Sequence, residues 1–142
     1  MSRTEPQHEP LIVVIGGEDG IVAARQHARA LAKDLGFGMV DQSRIATAVS
    51  ELARNVVRYA TAGRGEVLIL DVGSGTDAVG LEVVVRDEGP GIADVERAMQ
   101  DGFTSGTGLG LGLSGAKRLV DEFSIESVVG RGTTVTIRKW RR

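Results

Sequence analysis

The succession of helical and β patterns along this chain predicts an α+β fold, a two-layer α/β sandwich in which a mostly antiparallel sheet carries its helices on one face. Three observations carry that expectation. Two long segments with apolar residues at helical spacing occupy 19–59. Two β-branched runs follow at 66–72 and 81–86, and a further pair of helical segments and a last hairpin fill 92–140.

Residues 1–10, with two prolines and no apolar periodicity, read as a disordered lead to a single domain at 11–142. The run LIVVI at 11–15 is a buried-strand candidate. The turn GGED follows, with Asp19 set to cap a helix that Gly36 and Gly38 stop. A second helix is expected from about Asp41, whose carboxylate could accept from the first-turn amides. Its stripe of Ile45, Val49, Leu52, Val56 and Tyr59 faces the core. The strands at 66–72 and 81–86 flank GSGTDAVG as a hairpin with a long loop. A short helix at 92–100 precedes one at 111–122 with Leu113, Ala116, Leu119 and Val120 as its apolar face. The strands at 123–129 and 133–140 close the chain around GRG.

Composition narrows the function. Of 142 residues, 42% are hydrophobic, enough to fill one core. Lys and Arg number 17 against 19 Asp and Glu, and a net charge of −2 provides no field to draw in nucleic acid or anionic lipid. Cysteine is absent, which removes disulfides and thiolate metal sites and fits a reducing cytoplasm. No apolar run approaches the roughly 20 residues that span a bilayer, and SRTEPQHEP is too polar for a signal sequence, so a soluble cytoplasmic protein is expected. His27 has no acidic or histidine partner at metal spacing. The basic residues Arg138, Lys139, Arg141 and Arg142 around Trp140 read first as a solvated strand end and second as a partner contact.

Three motifs carry candidate chemistry. In SELARN, Glu51 and Asn55 lie at i and i+4 and project from one side of the helix, beside the Leu52 and Val56 stripe. A carboxylate there can polarise a hydroxyl, and the amide oxygen can supply one of the few protein ligands that Mg²⁺ takes. On spacing alone the first reading is a solvated face on which Glu51 pairs with Arg54 or Arg58, since such charge pairs are common on any surface helix. In DEGPG, Asp87 ends an apolar strand where it could accept from an exocyclic amine, while Gly89 and Gly91 would let a flat ring approach the backbone. A tight Gly/Pro turn is the plain alternative. In GTGLGLG, Gly106, Gly108, Gly110 and Gly112 alternate ahead of a helix and could present free amides to phosphate. The GxGxxG spacing at Gly110, Gly112 and Gly115 lacks the preceding strand of a dinucleotide fold, and no Gly-Lys-Ser or Gly-Lys-Thr marks a P-loop.

The order SELARN, DEGPG, GTGLGLG, GRGTTVTI resembles the ATP-binding fold shared by gyrase, histidine kinases and MutL, over about 41–137. Within that superfamily the chain is similar to the small anti-sigma-factor serine kinases, and most of all to the RsbT-like switch kinases. The stretches GIVAARQ, LGFGMVDQSRIATAVSELARN, DGFTSG and KRLVDEFSI carry that likeness.

The resemblance implies roles residue by residue. Glu51 would be the general base and Asn55 the Mg²⁺ ligand. Asp87 would bind the adenine amine of ATP, with Gly89 and Gly91 lining the base pocket. Gly106, Gly108, Gly110 and Gly112 would contact the phosphates, and Thr133 would support adenine recognition directly or through water. It further implies that the kinase phosphorylates a serine or threonine on STAS-domain antagonist and scaffold proteins, and that the freed kinase activates a PP2C-type phosphatase. Small relatives include homodimers. The segment between Gly91 and Gly106 is far shorter than many ATP lids in the superfamily, implying an open site and weak ATP binding. The competing expectation is an anti-sigma factor that sequesters a sigma factor. A histidine-kinase module is disfavoured because no dimerisation helix with a phosphoacceptor histidine precedes the domain.

Overall fold

The computed structural model describes residues 9–73, 78–92, 95–100 and 112–142. Strand β1 (Leu11–Ile15) leads into helices α1 (Glu18–Asp34) and α2 (Met39–Tyr59), then a single 3₁₀ turn at Thr61–Gly63. Strands β2 (Gly65–Gly73) and β3 (Val79–Asp87) follow, then the short helices α3 (Val95–Ala98) and α4 (Gly112–Arg118), and strands β4 (Glu122–Val128) and β5 (Gly132–Trp140). Among the described residues five strands form one sheet in the order β1-β2-β3-β5-β4, and every neighbouring pair is antiparallel. The helices lie on one face, as the sequence pattern predicts.

Alternation decides which side chains meet the helices. Val13 and Ile15 of β1, Val67 and Ile69 of β2, Leu81, Val83 and Val85 of β3, and Val135 and Ile137 of β5 all point to one side and are buried. Against them α2 packs Ile45, Val49, Leu52 and Val56, and α1 adds Ile21 with Ala24, Ala28 and Ala32. The alanine file on α1 keeps that surface shallow where the two helices meet. Each fully buried Ile, Leu or Val contributes roughly 1.5–3 kcal/mol. Tyr59 does not complete the stripe: it is 39% exposed, while Ala60 takes the inward place.

Neither expected side-chain cap forms. Helix α1 starts after Gly17 and α2 after Gly38, both without a side-chain capping bond. Asp19 and Asp41 sit inside the first turns, where their charge still favours the helix dipole. The Asp41 carboxylate is drawn away to Arg44 at 3.1 Å and Lys139 at 3.6 Å. Gly36, at φ +87°, ends α1 as expected, and the Phe37 N–H returns to the Ala32 carbonyl at 2.9 Å.

Two helices are shorter than their patterns imply. The segment expected to be helical over 92–100 is helical at Val95–Ala98. Helix α4 ends at Arg118, because Asp121 N–H bonds the Arg138 carbonyl and Glu122 already pairs with Arg138 in the sheet. Leu119 and Val120 still pack on the core from the connecting turn. The C-terminal basic cluster is a solvated end only in part: Arg141 and Arg142 are exposed, whereas Lys139 is buried and Arg138 half-buried. Arg138 bonds Glu82 at 2.6 Å, Arg142 bonds Asp121 at 2.6 Å, and Arg141 donates to the Leu35 carbonyl at 2.8 Å.

Candidate functional site

Helix α2 places Glu51 and Asn55 at the rim of its buried stripe, both half-buried, with Leu52, Ala53 and Val56 beneath them in the core. Glu51 meets Arg54 at 3.5 Å, and each side chain of that pair is about one-third exposed (33% and 31%). A surface pair at this spacing contributes only about 0.2–0.5 kcal/mol, so it leaves the carboxylate free to take another partner. The solvated-pair reading and the catalytic reading are therefore compatible in one geometry.

Asp87 is the last residue of β3, where the apolar rows of the sheet stop. Burial pushes its carboxyl above the ordinary range, and the backbone N–H of Thr133, its cross-strand partner, pulls it partly back. A half-buried carboxylate beside the core can accept from an amine. Val56 of α2 and Asp87 converge over Gly65: a Cβ at that glycine would lie 2.8 Å from Val56 Cγ1 and 3.2 Å from Asp87 Cβ. Close helix–sheet approach at Gly65 thus brings the Asn55 end of α2 to the Asp87 end of β3.

The turn after Asp87 is fastened to the β4–β5 hairpin. Gly89 is buried. Gly91 adopts φ +76°, and a Cβ there would sit 2.5 Å from the Val128 carbonyl oxygen, so both its conformation and its packing require glycine. The Gly130 N–H bonds the Pro90 carbonyl at 2.9 Å, and the Ile92 N–H bonds Ser127 Oγ at 2.7 Å. Ser127 Oγ also lies 2.8 Å from Thr133 Oγ1. The tight-turn alternative for DEGPG is realised, and the turn borders the carboxylate that could receive a ligand.

The structure brings together Glu51 and Asn55 on one helix rim and Asp87, Gly89, Gly91 and Thr133 at one end of the sheet. Gly112 is the first residue of α4, whose C-terminal end packs on the core through Ala116. Gly106, Gly108 and Gly110 lie outside the described residues. Among the described residues no three His, Cys, Asp or Glu converge as a metal cage. The donor set on α2 fits an ion that takes one amide oxygen from the protein and the rest from phosphate and water, as Mg²⁺ does. Among the described residues no helix is long and apolar enough to cross a membrane.

Ser127 and Gly65 were not singled out by motif. Ser127 had a signal: in FSIESVV it shares the inward parity of Phe123 and Ile125, a polar residue where the alternation calls for an apolar one. Gly65 had none, since its meaning depends on two elements that meet only in the fold.

Comparison with known proteins identifies the family and the fold. Residues 40–142 match the family described as histidine kinase-, DNA gyrase B-, and HSP90-like ATPase. The chain belongs to that family. It is 53% identical over 122 residues to the serine/threonine-protein kinase RsbT of Bacillus subtilis (strain 168), covering 86% of this chain and 90% of that one. It is 36% identical over 121 residues to an anti-sigma F factor of Geobacillus kaustophilus, covering 82% and 81% of the two chains. Among solved structures, the mycobacterial sensor histidine kinase MprB superposes with a TM-score of 0.57 at 24% identity, covering 94% and 98%, which shows the shared fold. Within the ATPase family the chain sits on the branch of RsbT-like serine/threonine-protein kinases.

Proposed function

We propose that this protein is a partner-switching kinase that transfers the terminal phosphoryl group of ATP to a serine or threonine of STAS-domain antagonist and scaffold proteins. Once released from them, it activates a PP2C-type phosphatase. The observation that carries this reading is the 53% identity to RsbT, which extends over most of the chain and beyond the nucleotide motifs.

Each residue has a distinct task. Asp87 accepts from the adenine amine, and the turn through Gly89 and Gly91 lets the ring lie against backbone. Asn55 would hold Mg²⁺, which when bound would neutralise phosphate oxygens. Glu51, on the adjacent turn of α2, takes the proton of the acceptor hydroxyl. Gly106, Gly108, Gly110 and Gly112 supply amides to the phosphates. Phosphoryl transfer of this kind depends mainly on positioning and charge stabilisation, with proton removal a smaller contribution.

The test is transfer of labelled phosphate from ATP to a purified STAS protein. Transfer is expected with the wild type and strongly reduced with Glu51→Gln or Asn55→Ala; undiminished transfer by both variants overturns the mechanism. The anti-sigma F factor likeness supports a second reading, sequestration of a sigma factor, at lower identity. Recovery of a sigma factor in a pulldown, without phosphate transfer, would favour it.

A further inference from the structure

Asp87, Thr133 and Ser127 form a cross-strand row: Asp87 pairs with Thr133 between β3 and β5, and Thr133 with Ser127 between β5 and β4. All three side chains share the helix-side face. The rows behind are apolar, Val85–Val135–Ile125 and Val83–Ile137–Phe123. One row of the sheet is therefore polar, at the end that carries Asp87 and the proposed adenine contacts.

We propose that Ser127 is a positioning residue that commits the Thr133 hydroxyl to act as an acceptor toward the pocket, and so sets the preference for adenine over guanine. The inference rests on the adenine-site reading given above. Its logic is a count of protons. A serine hydroxyl has one hydrogen and two acceptor lone pairs. One lone pair of Ser127 Oγ is taken by the Ile92 N–H at 2.7 Å. Its hydrogen can reach the Gly132 carbonyl at 3.3 Å, which leaves its second lone pair for the Thr133 hydroxyl at 2.8 Å. That arrangement satisfies all three contacts. The reverse, with Ser127 donating to Thr133, abandons the Gly132 carbonyl.

With its hydrogen directed at Ser127, Thr133 presents only lone pairs elsewhere. Its own N–H is held by Asp87. The pocket wall then offers a carboxylate and a hydroxyl oxygen, both acceptors. Adenine carries a donor amine at the position where guanine carries the O6 acceptor. The wall accepts the first, directly or through a water, and repels the second.

The experiment measures ATP and GTP binding to the full chain by titration calorimetry. Ser127→Ala is expected to weaken ATP about two- to tenfold, the range of one hydrogen bond, without weakening GTP, so that the preference narrows. Ser127→Thr keeps the hydroxyl and is expected to restore the wild-type ratio. Thr133→Val should narrow the ratio by itself, and adding Ser127→Ala to it should change the ratio no further. A wild-type ratio in Ser127→Ala, or fully additive effects of the two substitutions, overturns the proposal. If Ser127→Ala does not fold, Ser127→Thr and Thr133→Val still decide it: an altered ratio in the first or an unaltered one in the second sinks it. Asp87→Asn separates the two levels. Intact ATP binding there defeats the adenine-site reading, whereas weakened binding there with an unchanged Ser127→Ala ratio defeats only the role of Ser127.

Discussion

Val56 of α2 and Asp87 of β3 both close on Gly65, where a Cβ would lie 2.8 Å from Val56 Cγ1 and 3.2 Å from Asp87 Cβ, so the contact leaves no room for a side chain. Asn55 is the neighbour of Val56, so the contact links the helix rim that carries Glu51 and Asn55 to the strand end that carries Asp87. The two halves of the candidate site are joined by packing at a residue that has no functional group.

Gly65→Ala is expected to destabilise the fold by about 1–3 kcal/mol, the usual cost of overpacking, because its Cβ would press on Val56, Asp87 and the Arg86 carbonyl. ATP affinity should fall with it as Asp87 is displaced. Urea unfolding and calorimetric titration measure the two effects. Unchanged stability and unchanged affinity together would show that the junction is slack.

Asp87 predicts a pH dependence of nucleotide binding. Burial raises its folded pKa above the ordinary 3.8, so the protonated form persists to a higher pH than in an unstructured chain. For stability, a raised carboxyl contributes fully below the ordinary value and loses that contribution as pH rises through the raised one. For binding, the ionised acceptor is needed. ATP affinity is therefore expected to fall as pH drops through a value above 3.8, and to do so less steeply in Asp87→Asn. Coincident profiles for the two proteins would remove Asp87 from the nucleotide contact.

Lys139 joins α2 to the start of β4. Its side chain is 8% exposed, and its ammonium lies 3.4 Å from Asp121 and 3.6 Å from Asp41. Burial by itself pushes the Asp121 carboxyl up, but the Trp140 N–H, the Arg142 guanidinium and Lys139 together outweigh it and hold the carboxyl below its ordinary range. That stability is present above the unfolded pKa and is lost as pH falls through the lowered folded value. Lys139→Ala should cost near the low end of about 3–5 kcal/mol, since Arg142 still pairs with Asp121. The acid limb of its stability profile should also move to higher pH. Thermal unfolding across an acid pH series checks both.

Glu51 and Asn55 should separate in kinetics. Glu51→Gln is expected to lower kcat by about 10²–10⁴, the range of a lost general base, while leaving ATP binding and stability near wild type because the side chain is partly exposed. Asn55→Ala should instead raise the Mg²⁺ concentration needed for half-maximal transfer. A Glu51→Gln protein that transfers phosphate at the wild-type rate would leave Glu51 as no more than the partner of Arg54.

Sequence patterns located most elements because their signals are local. Glycine ended α1 at Gly36, the stripe Ile45, Val49, Leu52 and Val56 faced inward, and β-branched runs became strands. Expectations failed where a tertiary contact competed. Asp41 fell inside the first turn of α2 with its carboxylate paired to Arg44 and Lys139, Tyr59 yielded its inward place to Ala60, and α4 stopped early because Glu122 entered the sheet. Capping chemistry is a local preference worth about 1 kcal/mol, and an ion pair or a strand pairing of similar size can redirect it.

The sequence by itself determined the α+β class, the helix rim of Glu51 and Asn55, and the strand end at Asp87, because helical and strand periodicities are set by neighbours in the chain. Only the tertiary structure decided how these parts meet. Strand order set β5 beside β3 and β4 beside β5, which lines Asp87, Thr133 and Ser127 into one polar row. Close approach at Gly65 then brought that row to α2. Such pairings join residues far apart in the chain, and the burial that makes them favourable exists only once the sheet and helices have closed on one another.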